Sequence, residues 1–442
     1  MKMRGSLEEE EEEGEEKNLL YSHEDRTSCS SQEVIFLDQV AELRESSTPS
    51  SPSPFHPPPS SSDRIRISSK PWLDNQDLAS MGYIDSFEGI RGWAVLMTNV
   101  CHFLPYNPFN HNLGAAGVSA FFVLSGFLIT GVLIGLQKDN RGSSPSTFPS
   151  YRFLLGFYSD RAVRLLPPLY ICVGLISAYE WYDGVDSKRI LNYASRAIFN
   201  YENMNLAILR PMYRNSPFKN TWSLAMEEQF YLVWSIVLPM LIRLKPRSRL
   251  LLVSFSMLLS LYVRIQTHVD KGSLWNIHWH HAFLSNVFKM LLGSSLRLFP
   301  LPRFLFRPWA CYLGFLILFL NLLTATWPFS PRWSDSFGAA SSVFLITGSM
   351  VKGNPILDLE SIRFVGRISY ALYLWQLPLM VAFTRSFPST EQNFKLGFTT
   401  TFFAFFVAMI STFWVEEPLR ARYKAWRKRR RSRNSASNSN PV

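Results

Sequence analysis

From Tyr83 onward the chain is a succession of apolar runs, most of them about 17–25 residues long, the length a helix needs to cross the hydrocarbon of a bilayer. Ten are counted: 84–105, 114–136, 165–183, 222–244, 249–268, 280–299, 309–327, 334–351, 362–384 and 394–415. The second, "GAAGVSAFFVLSGFLITGVLIGL", has no charge at all. A soluble domain with this many helices would need more polar faces than these runs show. The pattern therefore predicts an all-α, polytopic transmembrane bundle of about ten membrane-spanning helices. A lipid bilayer is its first partner.

The flanks are of another kind. Residues 1–80 hold an acidic block, Glu8–Glu13 and Glu15–Glu16, and a Ser/Pro run, "SSTPSSPSPFHPPPSSS". Such a segment buries too little apolar surface to offset its ordering entropy, so it reads as a disordered cytosolic tail. No basic stretch leads into an apolar one at the start, so no cleavable secretory signal is expected. Residues 81–420 form the transmembrane domain, and 421–442 a polybasic tail. The formal charge of +11 comes in large part from that end, "RARYKAWRKRRRSR" at 420–433. Beside a hydrophobic helix, this placement fits an anionic cytoplasmic leaflet and argues against nucleic acid. Cys29, Cys101, Cys172 and Cys311 show no paired spacing and read as small hydrophobes.

Lys and Arg in the connections orient the bundle. With the N-terminus in the cytosol, the basic connections fall inside and both termini are cytosolic. One segment dissents: 184–221 carries Lys188, Arg189, Arg196, Arg210, Arg214 and Lys219 on the nominal outside. It is either an outer loop whose charges have a role or a stretch that re-enters the membrane.

Ionisable groups in hydrocarbon cost at least about 2.5 kcal/mol each on insertion scales, so those retained usually face an interior or a wet cavity. In "FEGIRGWAVLMTNVCHF", Arg91 and His102 are eleven residues apart. That is close to three helical turns, which places both on one face, about 16 Å apart along the axis. Glu88 lies on the same side as Arg91. In "TWSLAMEEQFYLVW", Ser223, Glu227 and Tyr231 recur every four residues and form one stripe, while Glu228 points about 100° away. The stripe is either an interior site or an interhelical hydrogen-bond lock. In "FYSDRAVRLLPPLY", Arg161 and Arg164 are neighbours ahead of Pro167 and Pro168, where a helix must start or bend. The pair suits a snorkelling anchor or a bidentate phosphate grip. "IHWHH" at 277–281 has no carboxylate or thiolate at ligand spacing, so no metal is expected.

Together these three stretches, "GVSAFFVLSGFLIT" and "GRISYALYLWQLPL" resemble, in order, signature segments of the acyltransferase 3 family, integral-membrane O-acyltransferases. The resemblance implies an enzyme that moves an acyl group, by default acetyl, from acyl-CoA as co-substrate to a hydroxyl of a glycan, lipid or secondary metabolite. No permanently bound cofactor is implied. It assigns His102 and Glu227 to catalysis, and Arg91, Arg161 and Arg164 to the donor's phosphates, with Glu88 in support; Ser223 and Tyr231 join as supporting residues from their stripe with Glu227. Gln376 stands where the family often has histidine, and no proton-shuttling role transfers to it. Many bacterial relatives carry an esterase-like domain after the last helix. Here about twenty residues follow Glu416–Glu417–Pro418, so the membrane domain or a separate partner must complete the transfer. The long N-terminus leans eukaryotic, toward the endomembrane system or plasma membrane. A transporter or proton channel is the alternative reading of buried Arg, His and Glu, but the chain shows no evident internal repeat of the carrier type.

Overall fold

The computed structural model describes residues 72–73, 78, 84–103, 109–139, 151–204, 216–269, 282–326, 330–350, 354–386 and 394–438. The helices are α1 (Ser86–Phe103), α2 (Phe109–Asp139), α3 (Tyr151–Tyr182), α4 (Ser187–Ile198), α5 (Thr221–Arg243), α6 (Pro246–Val269) and α7 (Phe283–Leu298). They continue as α8 (Pro308–Leu323), α9 (Ser330–Met350), α10 (Glu360–Arg367), α11 (Ser369–Ser386), α12 (Phe394–Ile410) and α13 (Glu417–Asn438). A π-helical turn, Ser411–Glu416, joins the last two. A two-residue ribbon, Trp72–Leu73 against Leu301–Pro302, ties the entry of the chain to the end of α7.

Each of the ten apolar runs coincides with a helix or, for 362–384, with the pair α10 and α11. Among the described residues, six helical stretches are long and apolar enough to cross a membrane: Phe109–Leu136, Leu154–Tyr182, Thr221–Arg243, Pro246–Gln266, Pro308–Thr326 and Lys395–Arg430. The others fall short because they are brief or carry polar side chains. α1, with Glu88, Arg91, Asn99 and His102 in 18 residues, is the extreme case.

α2 is the centre of the bundle and packs on α1, α5, α7 and α9. Its approach to α7 is reciprocal. A Cβ on Gly126 would meet the Met290 carbonyl oxygen at 2.0 Å, and one on Gly293 would meet that of Val123 at 1.9 Å. Two backbones this close are possible only at glycine. In lipid, where burying apolar surface gives helices little reason to associate, such contacts hold a bundle together. Outward faces are apolar: Leu251 and Phe398 are largely exposed, while Ser119 and Thr130 of α2 are buried.

Two local features depart from the sequence reading. Pro167 and Pro168 lie in the middle of α3, which begins at Tyr151 and runs through them. The two missing N–H groups weaken that turn, and Tyr370 from α11 donates its hydroxyl to the Leu165 carbonyl beside it at 2.7 Å. The carbonyls that the prolines leave without a helical donor are those of Val163 and Arg164, and Tyr370 adds a bond at the next position along. The segment 184–221 contains an amphipathic helix, α4, capped by Asp186, whose carboxylate accepts from the Arg189 N–H at 3.1 Å. It buries Tyr193, Arg196 and Ala197. Arg196 pairs with Glu202 at 3.4 Å, so one of the dissenting charges is neutralised inside the protein. Arg210 and Arg214 lie outside the described residues, as do 277–281 and residues 1–71. Trp72 and Leu73 pair with Leu301–Pro302, and Leu73 and Leu78 are buried in the core, so the fold begins before the expected end of the tail at residue 80.

Candidate active site

α5 supplies the backbone of the site. Its stripe of Ser223, Glu227 and Tyr231 faces a cavity of about 350 Å³ that is also bounded by residues of α1, α2, α3 and α11. The Tyr231 hydroxyl donates to Glu227 Oε2 at 3.0 Å, one helical turn back. Ser223 and the Tyr373 hydroxyl are 2.7 Å apart, and Tyr373 also donates to the Asn220 carbonyl at 3.1 Å. The stripe is thus hydrogen-bonded along its length while one side stays open to the void.

Arginines converge on the same cavity. Arg91 of α1, Arg161 and Arg164 of α3 all line it, and each is held by a glutamate. Arg91 binds Glu88 at 2.9 Å, with both side chains buried. Arg161 reaches Glu228 at 3.1 Å and lies 3.7 Å above the centre of the Tyr231 ring. Arg164 faces Glu416 of the π-helical turn at 3.4 Å. Glu88 sits in the first turn of α1, where the helix dipole favours a carboxylate. Glu416 owes its position to the π turn, since an extra residue in one turn re-aims the side chains that follow. These pairs leave a donor over: Nε of Arg161 is buried and makes no hydrogen bond among the described residues, while Nε of Arg164 has only its 3.4 Å contact with Glu416. Buried guanidinium donors beside a void are a chemical invitation to an anion.

His102 lies in the last turn of α1. It is half-buried, and its Nδ1 makes no hydrogen bond among the described residues. Lys219, just before α5, is the charged group that acts on it. His102 does not line the cavity that Arg91 lines. The structure therefore brings Arg91, Arg161, Arg164, Ser223, Glu227 and Tyr231 to one void, sets Glu88 behind Arg91, and leaves His102 further along α1. Gln376, where the family often has histidine, is buried with its amide atoms unmatched among the described residues.

Several wall residues were not singled out from the sequence. Tyr370 and Tyr373 line the cavity from α11, and their three-residue spacing in "GRISYALYLWQL" would have put them on one face. Ser125 lines it from α2, but nothing distinguishes it from the other small residues of that run. The Arg161–Glu228 contact was obscured because the stripe at four-residue spacing drew attention to Glu227. No group of three or more His, Cys, Asp or Glu that could hold a metal occurs among the described residues.

The acyltransferase domain of the acyltransferase 3 type matches residues 84–416. Among curated relatives, the peptidoglycan O-acetyltransferase OatA of Listeria monocytogenes is 26% identical over 365 residues, covering 77% of this chain and 56% of its own length. The putative peptidoglycan O-acetyltransferase YrhL of Bacillus subtilis is 29% identical over 328 residues, covering 68% and 49%. The O-acetyltransferase OatA of Staphylococcus aureus is 26% identical over 376 residues, covering 79% and 60%. The chain spans about half to three-fifths of these relatives' lengths. No solved structure matches. Since the match takes in the cavity, its three arginines, the α5 stripe and His102, this multi-pass membrane protein belongs to the acyltransferase 3 family of acyltransferases.

Proposed function

We propose that the chain is a membrane O-acyltransferase that moves an acetyl group from acetyl-CoA to a hydroxyl of a glycan. The convergence of Arg91, Arg161 and Arg164 on one cavity, with the Arg161 Nε donor left over, carries the reading. A donor with a phosphate-bearing head and a slim thioester arm fits a basic pocket that leads into a bundle. The glutamates hold the three guanidinium groups in place while the site is empty and cede them to phosphate oxygens, which bind arginine in the same forked geometry. A glycan acceptor is favoured over a lipid or secondary metabolite because two of the relatives are named for peptidoglycan.

The chemistry falls to His102, about 16 Å along α1 from Arg91 at 1.5 Å per residue, a span comparable to the donor's arm. The acceptor oxygen attacks the thioester carbonyl, the carbon–sulfur bond breaks, and the CoA thiolate leaves. The neutral imidazole takes the hydroxyl proton and passes it to the thiolate. The same imidazole could instead accept the acetyl group and hand it on. Glu227, tied to Tyr231, orients the acceptor hydroxyl from the cavity wall.

Purified chain in liposomes should release free CoA from acetyl-CoA, faster in the presence of acceptor. His102→Ala should lower that rate by about 10²-fold or more, the usual worth of a positioned general base, while the protein elutes as a folded species. Accumulation of a solute in sealed liposomes without any acyl donor, alongside no CoA release, would move the reading to a transporter.

A further inference from the structure

The C-terminal helix does more than trail from the last membrane-crossing segment. Between Arg420 and Arg430, seven of eleven residues are basic. Along one stripe the helix is fastened to α3 at the cavity. The Tyr423 and Ser159 hydroxyls are 2.9 Å apart, Arg427 pairs with Asp160 at 2.5 Å, and Glu416 pairs with Arg164 about two turns before Tyr423. Asp160 and Arg164 are themselves cavity wall. About a quarter-turn round the helix, at 100° per residue, runs a second stripe: Arg422, Trp426, Arg429 and Arg430, all exposed. The Arg430 guanidinium lies 5.4 Å from the Trp426 ring centre.

We propose that this second stripe is a binding surface for anionic phospholipid headgroups of the cytosolic leaflet, and that lipid bound there seats α13 against the cavity wall. Four observations point to lipid. The stripe forms the end of a candidate membrane-crossing segment, Lys395–Arg430. It joins three arginines, suited to headgroup phosphate, to an exposed tryptophan, the residue that favours the membrane–water boundary. Its long side chains can keep charge at the headgroups while their stems stay in the apolar layer. Its neighbouring stripe is already spent on Ser159 and Asp160, so the helix cannot roll over to bury its charges in the protein. The kinetic consequence rests on the acyl-CoA reading above; the lipid contact itself does not. That consequence has a telling sign. A negative surface alone repels a phosphate-bearing donor and raises its KM, whereas a better-seated mouth lowers it.

The test uses the full chain in vesicles of phosphatidylcholine, with or without phosphatidylserine, each also with brominated acyl chains. The Trp426 signal is the fluorescence difference between the natural chain and Trp426→Phe. It should be quenched more by brominated phosphatidylserine than by brominated phosphatidylcholine. That preference should vanish when Arg422, Arg429 and Arg430 are all changed to Gln, and should weaken in high salt. Equal quenching by both lipids, or a preference that survives the triple change, overturns the lipid surface. In the kinetic arm, phosphatidylserine should lower the donor KM several-fold in the natural chain and not in the triple variant; a rise in both overturns the seating of the mouth. A headgroup preference with no turnover at all would strike the donor reading and leave the lipid surface standing.

Discussion

Two regions of this bundle bury charge, and they do so for different ends. On one side, Arg264 of α6 and Lys289 of α7 both bind Asp335 of α9, with Lys289 also donating to Asn286 at 3.0 Å. Their side chains are 0%, 1% and 3% exposed, and none of them lines the cavity. On the other side, Arg161 with Glu228 and Arg164 with Glu416 border a void of about 350 Å³. Both sets would rank equally on a list of ionisable residues in apolar runs. Buried charge alone therefore does not mark a site in a membrane protein. Charge beside a void does. The first cluster clamps three helices together; the second holds its groups ready for something that is not protein.

The sharpest way to break this contrast is Asp335→Asn. It leaves two cations in a packed interior without their shared carboxylate, and removing one partner of a buried pair costs about 3–5 kcal/mol. Against a total stability on the order of 5–15 kcal/mol, the yield of folded protein and its melting temperature in detergent should both fall steeply. CoA release per folded molecule should stay close to normal. Arg164→Gln should do the reverse. Glu416, itself buried, then keeps the nearby charge of Arg420, so stability should fall less than for Asp335→Asn. The donor KM should rise about 10- to 100-fold for one lost charge-assisted contact, at 1.4 kcal/mol per decade. If Asp335→Asn spared the fold and abolished turnover, the roles assigned to the two clusters would have to be exchanged.

The difference between the clusters explains what could and could not be read in advance. Helix positions were legible because apolar length is a local property, and each of the ten runs became a helix or a helix pair. Arg91, Arg161, Arg164 and the α5 stripe were legible as candidates because charge in hydrocarbon needs a reason. Their partners were not. Glu228 pairs with Arg161 across 67 positions and Glu416 with Arg164 through a π turn, and neither tertiary distance nor a one-residue register shift leaves a periodic trace. The prolines of α3 misled for a related reason. Their local signal is helix start or bend, yet Tyr370, 205 positions away, donates a hydrogen bond to the turn they weaken. His102 remains the residue whose place owes most to helical spacing and to the family, and least to a partner in the structure.

The smallest expected effect is also the most discriminating, because it divides one side chain's work in two. Tyr231 donates its hydroxyl to Glu227 at 3.0 Å and presents its ring to Arg161 at 3.7 Å. Tyr231→Phe keeps the ring and removes the hydroxyl, at a cost of about 0.5–1.5 kcal/mol if only an ordinary hydrogen bond is lost. Glu227 then loses one of its two side-chain partners and keeps Ser125, so kcat should fall several-fold while the donor KM stays put. Tyr231→Leu removes the ring as well. Arg161 loses a cation–π contact of about 0.5–2 kcal/mol, and the donor KM should then rise as well. An interaction made only in the transition state shows in kcat, and one made equally with the ground state shows in KM. If Phe and Leu shifted the same parameter by the same amount, Glu227 and Arg161 would not be serving separate steps, and the cavity cluster would be a structural clamp like that of Asp335.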